Sequence, residues 1–491
     1  MGYDKAVEAS ALNEIFVEFY YWITVPLMFL IHVGFCLYEV SISRAKNHIH
    51  TLMKNAMLVP MVTITMFLFG FWIYFALPAW PVGDFFSIDK VVDGQPVQVL
   101  VDGQPVPVLD EDGIAVLDEA GNAVNEHEKT FVTTGLPWDA TMGSNLSDHI
   151  MGVFWAAFLL FSWTAASIVS GAVIERIRTG AFLILAVLVG SVTWMIDAAW
   201  GWSAGGWMVT DWGYHDAYAS GVIHGICGGA ALGILAVLGP RIGKFAPDGT
   251  PRDIPPQNPW FAVIGLFIIY TGFWGFYAAC NVPIINFDGL WTATTIYGTP
   301  TTLSTITFNF LMSLAGGLMA GYMLSKGDSF WTFSGGLGGI IAASAGNDLY
   351  HPLQAFLIGI VGVWVAYKLH YWVERKFKID DAVGAIAVHG YAGSFGVIIC
   401  GFMLWGYPAV ADGSATITPW GQIGGAIIMF FVLGFIPTFI VAKILNAMGV
   451  LRIPREVELA GLDYIDDQAS AADGQVIVTA ELAEANASSS L

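Results

Sequence analysis

Two histidines lie inside apolar runs at matched positions. Asp216-Ala-Tyr-Ala-Ser-Gly-Val-Ile-His224-Gly225 and Asp381-Ala-Val-Gly-Ala-Ile-Ala-Val-His389-Gly390 share Asp, Ala, His and Gly at identical offsets. Imidazole can accept, hold or pass on a proton near neutral pH, so a buried pair suits proton handling or the binding of a small polar molecule. Eight residues of α-helix advance about 12 Å, which puts each histidine about 12 Å inside the end marked by its aspartate. If the two helices enter a hydrocarbon core of about 30 Å from opposite sides, the imidazoles meet near its midplane. Ionisable groups at that depth are costly, and two of them cost less when hydrogen-bonded to one another; the plainer alternative is that each bonds a neighbouring helix. Gly225, Gly228, Gly229 and Ala230 follow one histidine, and Gly390, Gly393 and Ser394 the other. Small residues allow close helix approach and leave a narrow, apolar passage better suited to a small neutral molecule than to a hydrated ion. Asp216 and Asp381 read as helix N-caps.

The elements that position these groups are membrane spans. Hydrophobic residues make up 56% of the chain and charged residues 12%, against roughly 25% charged in a soluble domain. Windows of about 19 residues give eleven apolar segments, near 14–41, 55–80, 149–174, 180–202, 216–240, 258–283, 303–325, 330–346, 352–373, 382–406 and 420–446. The expected fold is therefore an all-α polytopic membrane protein. Helices one to five and six to ten form an inverted 5+5 repeat, each half carrying one histidine, and a final helix follows. Arg44, Lys46 and Lys54, then Arg176 and Arg178, Arg241, Lys244 and Arg252, Lys326, Arg375, Lys376 and Lys378, and finally Lys443, Arg452 and Arg455 mark every odd connection and the end. The positive-inside rule then puts the N-terminus outside and the C-terminus in the cytoplasm.

The net charge of −20 is concentrated in Asp84 to Lys129 and Arg452 to Leu491. Basic residues form no stripe, which argues against nucleic acid as a partner. Cys36, Cys227, Cys280 and Cys400 each sit in an apolar run and read as free thiols, with no metal-ligand spacing. Met1 to Asn13 is acidic and does not read as a signal peptide. Four regions follow: spans one and two over 1–83, an acidic extracellular insertion over 84–147, spans three to eleven over 148–447, and a cytoplasmic tail over 448–491. Within the insertion Val92-Asp-Gly-Gln-Pro-Val97 recurs as Val101-Asp-Gly-Gln-Pro-Val106, and Val-Leu-Asp-Glu-x-Gly follows at Val108 and Val116. Valine-rich runs broken by Asp-Gly read as small hairpins: a solvated decoration, an adaptation to salt, or a lid. The Ala-, Ser- and acid-rich stretch after Asp467 reads as disordered.

Many segments resemble the ammonium transporters (Amt/Mep/Rh), in particular the Amt branch. They are Gly34-Phe35 with Glu39, Arg44-Ala-Lys-Asn47, Val169-Ser-Gly-Ala-Val-Ile-Glu-Arg-Ile177, Trp202-Ser-Ala-Gly-Gly-Trp207, Asp216 to Gly225, Gly272 to Asn281, and Asp380 to Gly390. The resemblance covers nearly all of the chain except the insertion and the last twenty or so residues. It implies that Trp202 holds an external cation, that Phe161 and Phe276 are stacked rings closing the outer mouth, and that His224 and His389 line the pore. Asp216 would support the recruitment site through its helix end. One position departs from the family: its ammonium-binding serine is Cys280 here, beside Tyr277 where small polar residues are usual. A thiol is the weaker hydrogen-bond partner.

The implied function is transport of ammonium across a plasma membrane: recruitment outside, deprotonation, and passage of ammonia past the histidines, with the proton moving separately or through the pair. The alternative is an ammonium-sensing receptor with little flux. Neither HExxH nor paired acids occur in the spans, so no enzyme, catalytic residue, metal or cofactor is expected. The implied substrates are ammonium or ammonia, with methylammonium as an analogue. The implied assembly is a homotrimer in the lipid bilayer, and the tail Leu451 to Asp463 resembles the family's regulatory tail, a site for a P-II-type regulatory protein.

Overall fold

The structure, a computed structural model, describes residues 5–83, 86–92, 95–101, 104–109, 114–117, 122–136, 149–283 and 293–464. Among these, ten helices are long and apolar enough to cross a bilayer. In chain order the helices are α1 (Leu12–Ile42), α2 (Ala45–Ala76), α3 (Ile150–Ala172), α4 (Thr179–Gly201), α5 (Ser220–Leu238) and α6 (Pro259–Ala279). Then come α7 (Leu303–Ser325), α8 (Ser329–Ala343), α9 (Pro352–Phe377), α10 (Ile386–Met403) and α11 (Pro419–Ala447). The eighth expected span, 330–346, falls on α8, which is not among those ten. Its 15 residues rise about 22 Å, less than the hydrocarbon thickness, and a 3₁₀ turn at Ser344–Gly346 lengthens it. Phe308, Met323, Leu357 and Trp420 are exposed on the outer helix faces, as lipid contact requires.

Several helix limits differ from those that hydropathy suggests, because side chains satisfy the backbone at other places. The helix expected from residue 216 starts at Ser220, since Ala219 adopts a left-handed conformation (φ 69°) and breaks the ladder. The one expected to reach 283 ends at Ala279, where Asn281 donates to the Tyr277 carbonyl at 2.6 Å. The chain then enters a three-stranded antiparallel sheet, Asn281–Pro283, Ala293–Thr295 and Pro300–Thr301. The helix expected from 382 starts at Ile386. The helix expected from 55 already starts at Ala45. Lys54, read as a connection charge, is instead fully buried in α2, where it lies 3.8 Å from Glu39 of α1 and donates to the Ser170 carbonyl at 2.6 Å. Arg176 and Arg241 are buried too, and both lie against Asp380.

Two antiparallel crossings hold the bundle together. α1 packs on α6 through glycines: a Cβ on Gly34 would stand 2.7 Å from the Gly265 carbonyl oxygen, and one on Gly275 would stand 2.9 Å from the Thr24 carbonyl oxygen. α5 crosses α10 where Gly228 meets the backbone of Gly390 while Gly221 faces Val397. Rising numbers on one helix match falling numbers on the other, so the two run in opposite directions.

In the insertion, Ser87–Asp89 pairs with Lys129–Phe131, and the pairs Val91–Val92 with Gln95–Pro96 and Leu100–Val101 with Gln104–Pro105 form two short hairpins. Trp72 of α2 anchors the base: its ring stacks on Phe86 and Phe131, and its indole donates to the Val132 carbonyl. At the other end, the tail docks on the start of α2 and on the connections after α3 and α5. Asp463 accepts from the Ile49 and His50 amides at 2.9 Å, Arg178 N–H donates to Leu451, and Ile242 N–H donates to Glu458. Residues after Asp467 lie outside those described.

Candidate functional site

α5 and α10 each open with a capped π-helical turn, Ser220–Gly225 and Ile386–Tyr391. The Asp216 carboxylate accepts from the Ser220 and Gly221 amides at 2.7 Å and from Val222 at 2.9 Å; Asp381 accepts from the Ile386 and Ala387 amides at 2.9 and 3.1 Å. In both helices one carboxylate oxygen serves the amides five and six residues on. The wider π turn then carries the histidine, a distortion common at functional sites.

Those turns bring His224 and His389 together. Their Nδ1 atoms are 3.0 Å apart, with ring centroids at 5.1 Å. Two Nδ1 atoms at that distance require one to donate and the other to accept, so the pair shares a single proton along that axis. His224 is fully buried, and its Nε2 has no hydrogen-bond partner. Close approach depends on Gly228 and Gly390, because a Cβ on Gly228 would overlap the Gly390 backbone.

Aromatic rings cover one side of the pair. Phe276 and Phe273 lie nearly parallel to the His224 ring at 5.7 and 5.8 Å. Phe161 meets Phe276 at 4.7 Å and Trp202 at 5.0 Å, with interplanar angles of 84° and 80°. The two phenylalanines expected to stack thus meet edge to face, the arrangement that the ring quadrupole favours. Trp202, Phe161, Phe276 and His224 therefore form one continuous row, all fully buried. The Trp202 indole donates to the backbone carbonyl of Asp216 at 2.9 Å, leaving the Asp216 carboxylate to its helix amides and the Tyr214 hydroxyl. Tyr297 donates to the Gly201 carbonyl at 2.7 Å and accepts from the Asp216 amide, tying α4 to the start of α5.

Cys280 sits just past the end of α6, with its thiol donating to the Phe276 carbonyl at 3.1 Å. Tyr277 stacks on Tyr218 at 4.3 Å, and its hydroxyl contacts Ser344 and accepts from Asn347. The four cysteines are free. Among the described residues no group of three His, Cys, Asp or Glu side chains is placed to hold a metal.

Sequence reasoning gave no role to Phe273, which stands three residues before Phe276 on the same helix face, or to Phe35, whose ring lies 6.2 Å from His389. It also gave none to Asp380. Burial opposes ionisation of that carboxyl, yet the guanidinium groups of Arg241 and Arg176, together with hydrogen bonds from Arg241, hold it well below the usual carboxylate range. Arg241 grips it through Nε at 2.9 Å and Nη2 at 3.0 Å, fixing the connection that leads into α10.

A family model described as Ammonium Transporter Family matches residues 19–472. Ammonium transporter Amt2 of Archaeoglobus fulgidus is 32% identical over 355 residues, which are 67% of this chain and 72% of that protein. Among solved structures, a Sensor Amt Protein superposes with a TM-score of 0.67 at 20% identity, covering 92% of this chain and 98% of its own. Mep2 of Candida albicans gives 0.61 at 18% identity, covering 94% and 91%. At such identities the structural likeness speaks for the fold alone.

Proposed function

The chain belongs to the ammonium transporter family, and on that footing we propose that it moves ammonium across a plasma membrane through a pathway within each protomer. The observation that carries this reading is the 3.0 Å contact between two buried imidazoles from opposed helices, reached past a row of aromatic rings. Ammonium is recruited at the outer mouth over the indole of Trp202, the best aromatic face for a cation losing its water. Phe161, Cys280 and the amide-saturated end of α5 at Asp216 surround it. It is deprotonated there, and ammonia passes Phe161 and Phe276 to His224 and His389, while the proton travels separately or through the imidazole pair.

The physical motive is the cost of dehydration. Moving a cation into a low-dielectric passage is far more expensive than moving a neutral molecule, and potassium cannot lose a proton to avoid that cost. The two π turns with their matched caps support an inverted repeat of α1–α5 and α6–α10, followed by α11 as an eleventh helix. Docking of the tail onto the start of α2 and the α3–α4 and α5–α6 connections supports one shared face for them, which we assign to the cytoplasm with the N-terminus outside. We extend the reading to a homotrimer whose tails are open to a P-II-type regulatory protein.

Replacing both histidines, His224→Leu with His389→Leu, is expected to abolish ammonium-evoked current in proteoliposomes on supported membranes, or to let potassium evoke one. Unchanged current with unchanged selectivity would overturn the proposal. The same recording separates the rival reading, a receptor with little flux, which the Cys280 departure favours: a receptor binds ammonium without a sustained current.

A further inference from the structure

Below the imidazole pair, on the side away from Trp202, lies a narrow cavity of about 10 Å³, room for about one water, bordered by His389, Phe35, Tyr38, Ser334 and Glu39. Glu39 is fully buried in α1. Its Oε2 accepts from Asn55 at 2.9 Å and from Ser170 at 2.8 Å, and Lys54 stands 3.8 Å away as countercharge. Its Oε1 has no hydrogen-bond partner. A buried carboxylate oxygen left open is costly, whereas the other oxygen of the same group is fully engaged. Gly171 lets Val383 close in beside this carboxylate, since a Cβ there would stand 2.7 Å from the Val383 side chain. The Tyr38 and Ser334 hydroxyls, 3.0 Å apart, make the cavity wall polar next to an apolar one.

We propose that Glu39 is the inner proton acceptor of the pathway, taking the proton that leaves His389. The inference rests on the transport reading above. In this step the N–H bond of a His389 imidazolium breaks and an O–H bond forms at Glu39 Oε1, with water in the cavity as carrier. The resulting carboxylic acid gives the proton to ammonia arriving on that side, forming ammonium, or to water. Lys54 makes the site neutral before the transfer and singly positive after it, so the protonated state leaves a buried ammonium unbalanced and favours onward release of the proton.

The test compares wild type, Glu39→Gln and Glu39→Asp in proteoliposomes. Gln keeps an acceptor for Asn55 and Ser170 but cannot take up a proton. Two signals are read: ammonium-evoked current, and the rate at which ammonia alkalinises the lumen when a protonophore removes any charge limit. Glu39→Gln is expected to lower the current at least tenfold while ammonia permeation stays within twofold, and Glu39→Asp to regain a third or more of the current. Unchanged current in Glu39→Gln overturns the relay and leaves transport standing. Loss of both signals in Glu39→Gln overturns it as well, in favour of a purely structural role. A folded wild type that gives no ammonium signal overturns the transport reading and the relay with it.

Discussion

The starts of α5 and α10 are built alike and surrounded differently. Both carry an aspartate that caps amides five and six residues on, a π turn, and a histidine. At α5 the aspartate is fully buried, serves three amides and a tyrosine hydroxyl, and presents its own carbonyl to Trp202. At α10 the aspartate serves two amides and stands 3.7 Å from His370. His224 lies under a stack of phenylalanines, whereas His389 borders a partly polar cavity. The shared turn sets where the imidazoles stand; the unshared neighbours set what each can exchange with.

The largest effect that would sharpen this contrast is expected from the aspartates. Asp216→Ala strands three buried amides and the Tyr214 hydroxyl, and should cost more than about 3 kcal/mol. Asp381→Ala should cost about 1 kcal/mol, the usual value for a lost helix cap. Thermal unfolding of the detergent-solubilised protein measures both, and equal losses would break the contrast. Next comes the aromatic row. Phe276→Leu removes the ring shared by Phe161 and His224, and a potassium-evoked current at least threefold above wild type is expected, while Phe35→Leu beside His389 should leave selectivity unchanged. The smallest effect is expected at Cys280→Ser. A hydroxyl keeps the bond to the Phe276 carbonyl and is the stronger partner for ammonium, so half-maximal current should need about two- to fivefold less ammonium, a gain of roughly 0.4–1 kcal/mol.

How much of this was legible in the sequence depends on the range of the interaction. The repeated Asp-to-His offset is local, so the meeting of His224 with His389 could be read from spacing, whereas the helix starts at Ser220 and Ile386 could not. The Trp202 bond to Asp216 uses a backbone carbonyl, which any residue supplies, and left no mark in the side-chain pattern. Lys54 was misplaced for a different reason. A hydropathy window treats a charge as a boundary, and only the distant Glu39, Asn55 and Ser170 make it tolerable inside a helix. Phe273 was one apolar residue among many until its plane could be compared with that of an imidazole.

The clamp of Trp72 between Phe86 and Phe131 has a consequence for the history of the insertion. Because entry and exit strands are paired at the neck, the number of Val-Asp-Gly-Gln-Pro-Val units above it does not alter where the chain leaves or rejoins the membrane helices. Even doubling such a loop costs only about 0.6 kcal/mol in closure entropy. A copying slip in the gene that adds or drops one unit would therefore pass almost unnoticed by the rest of the molecule, and tandem near-identical units are the trace such slips leave.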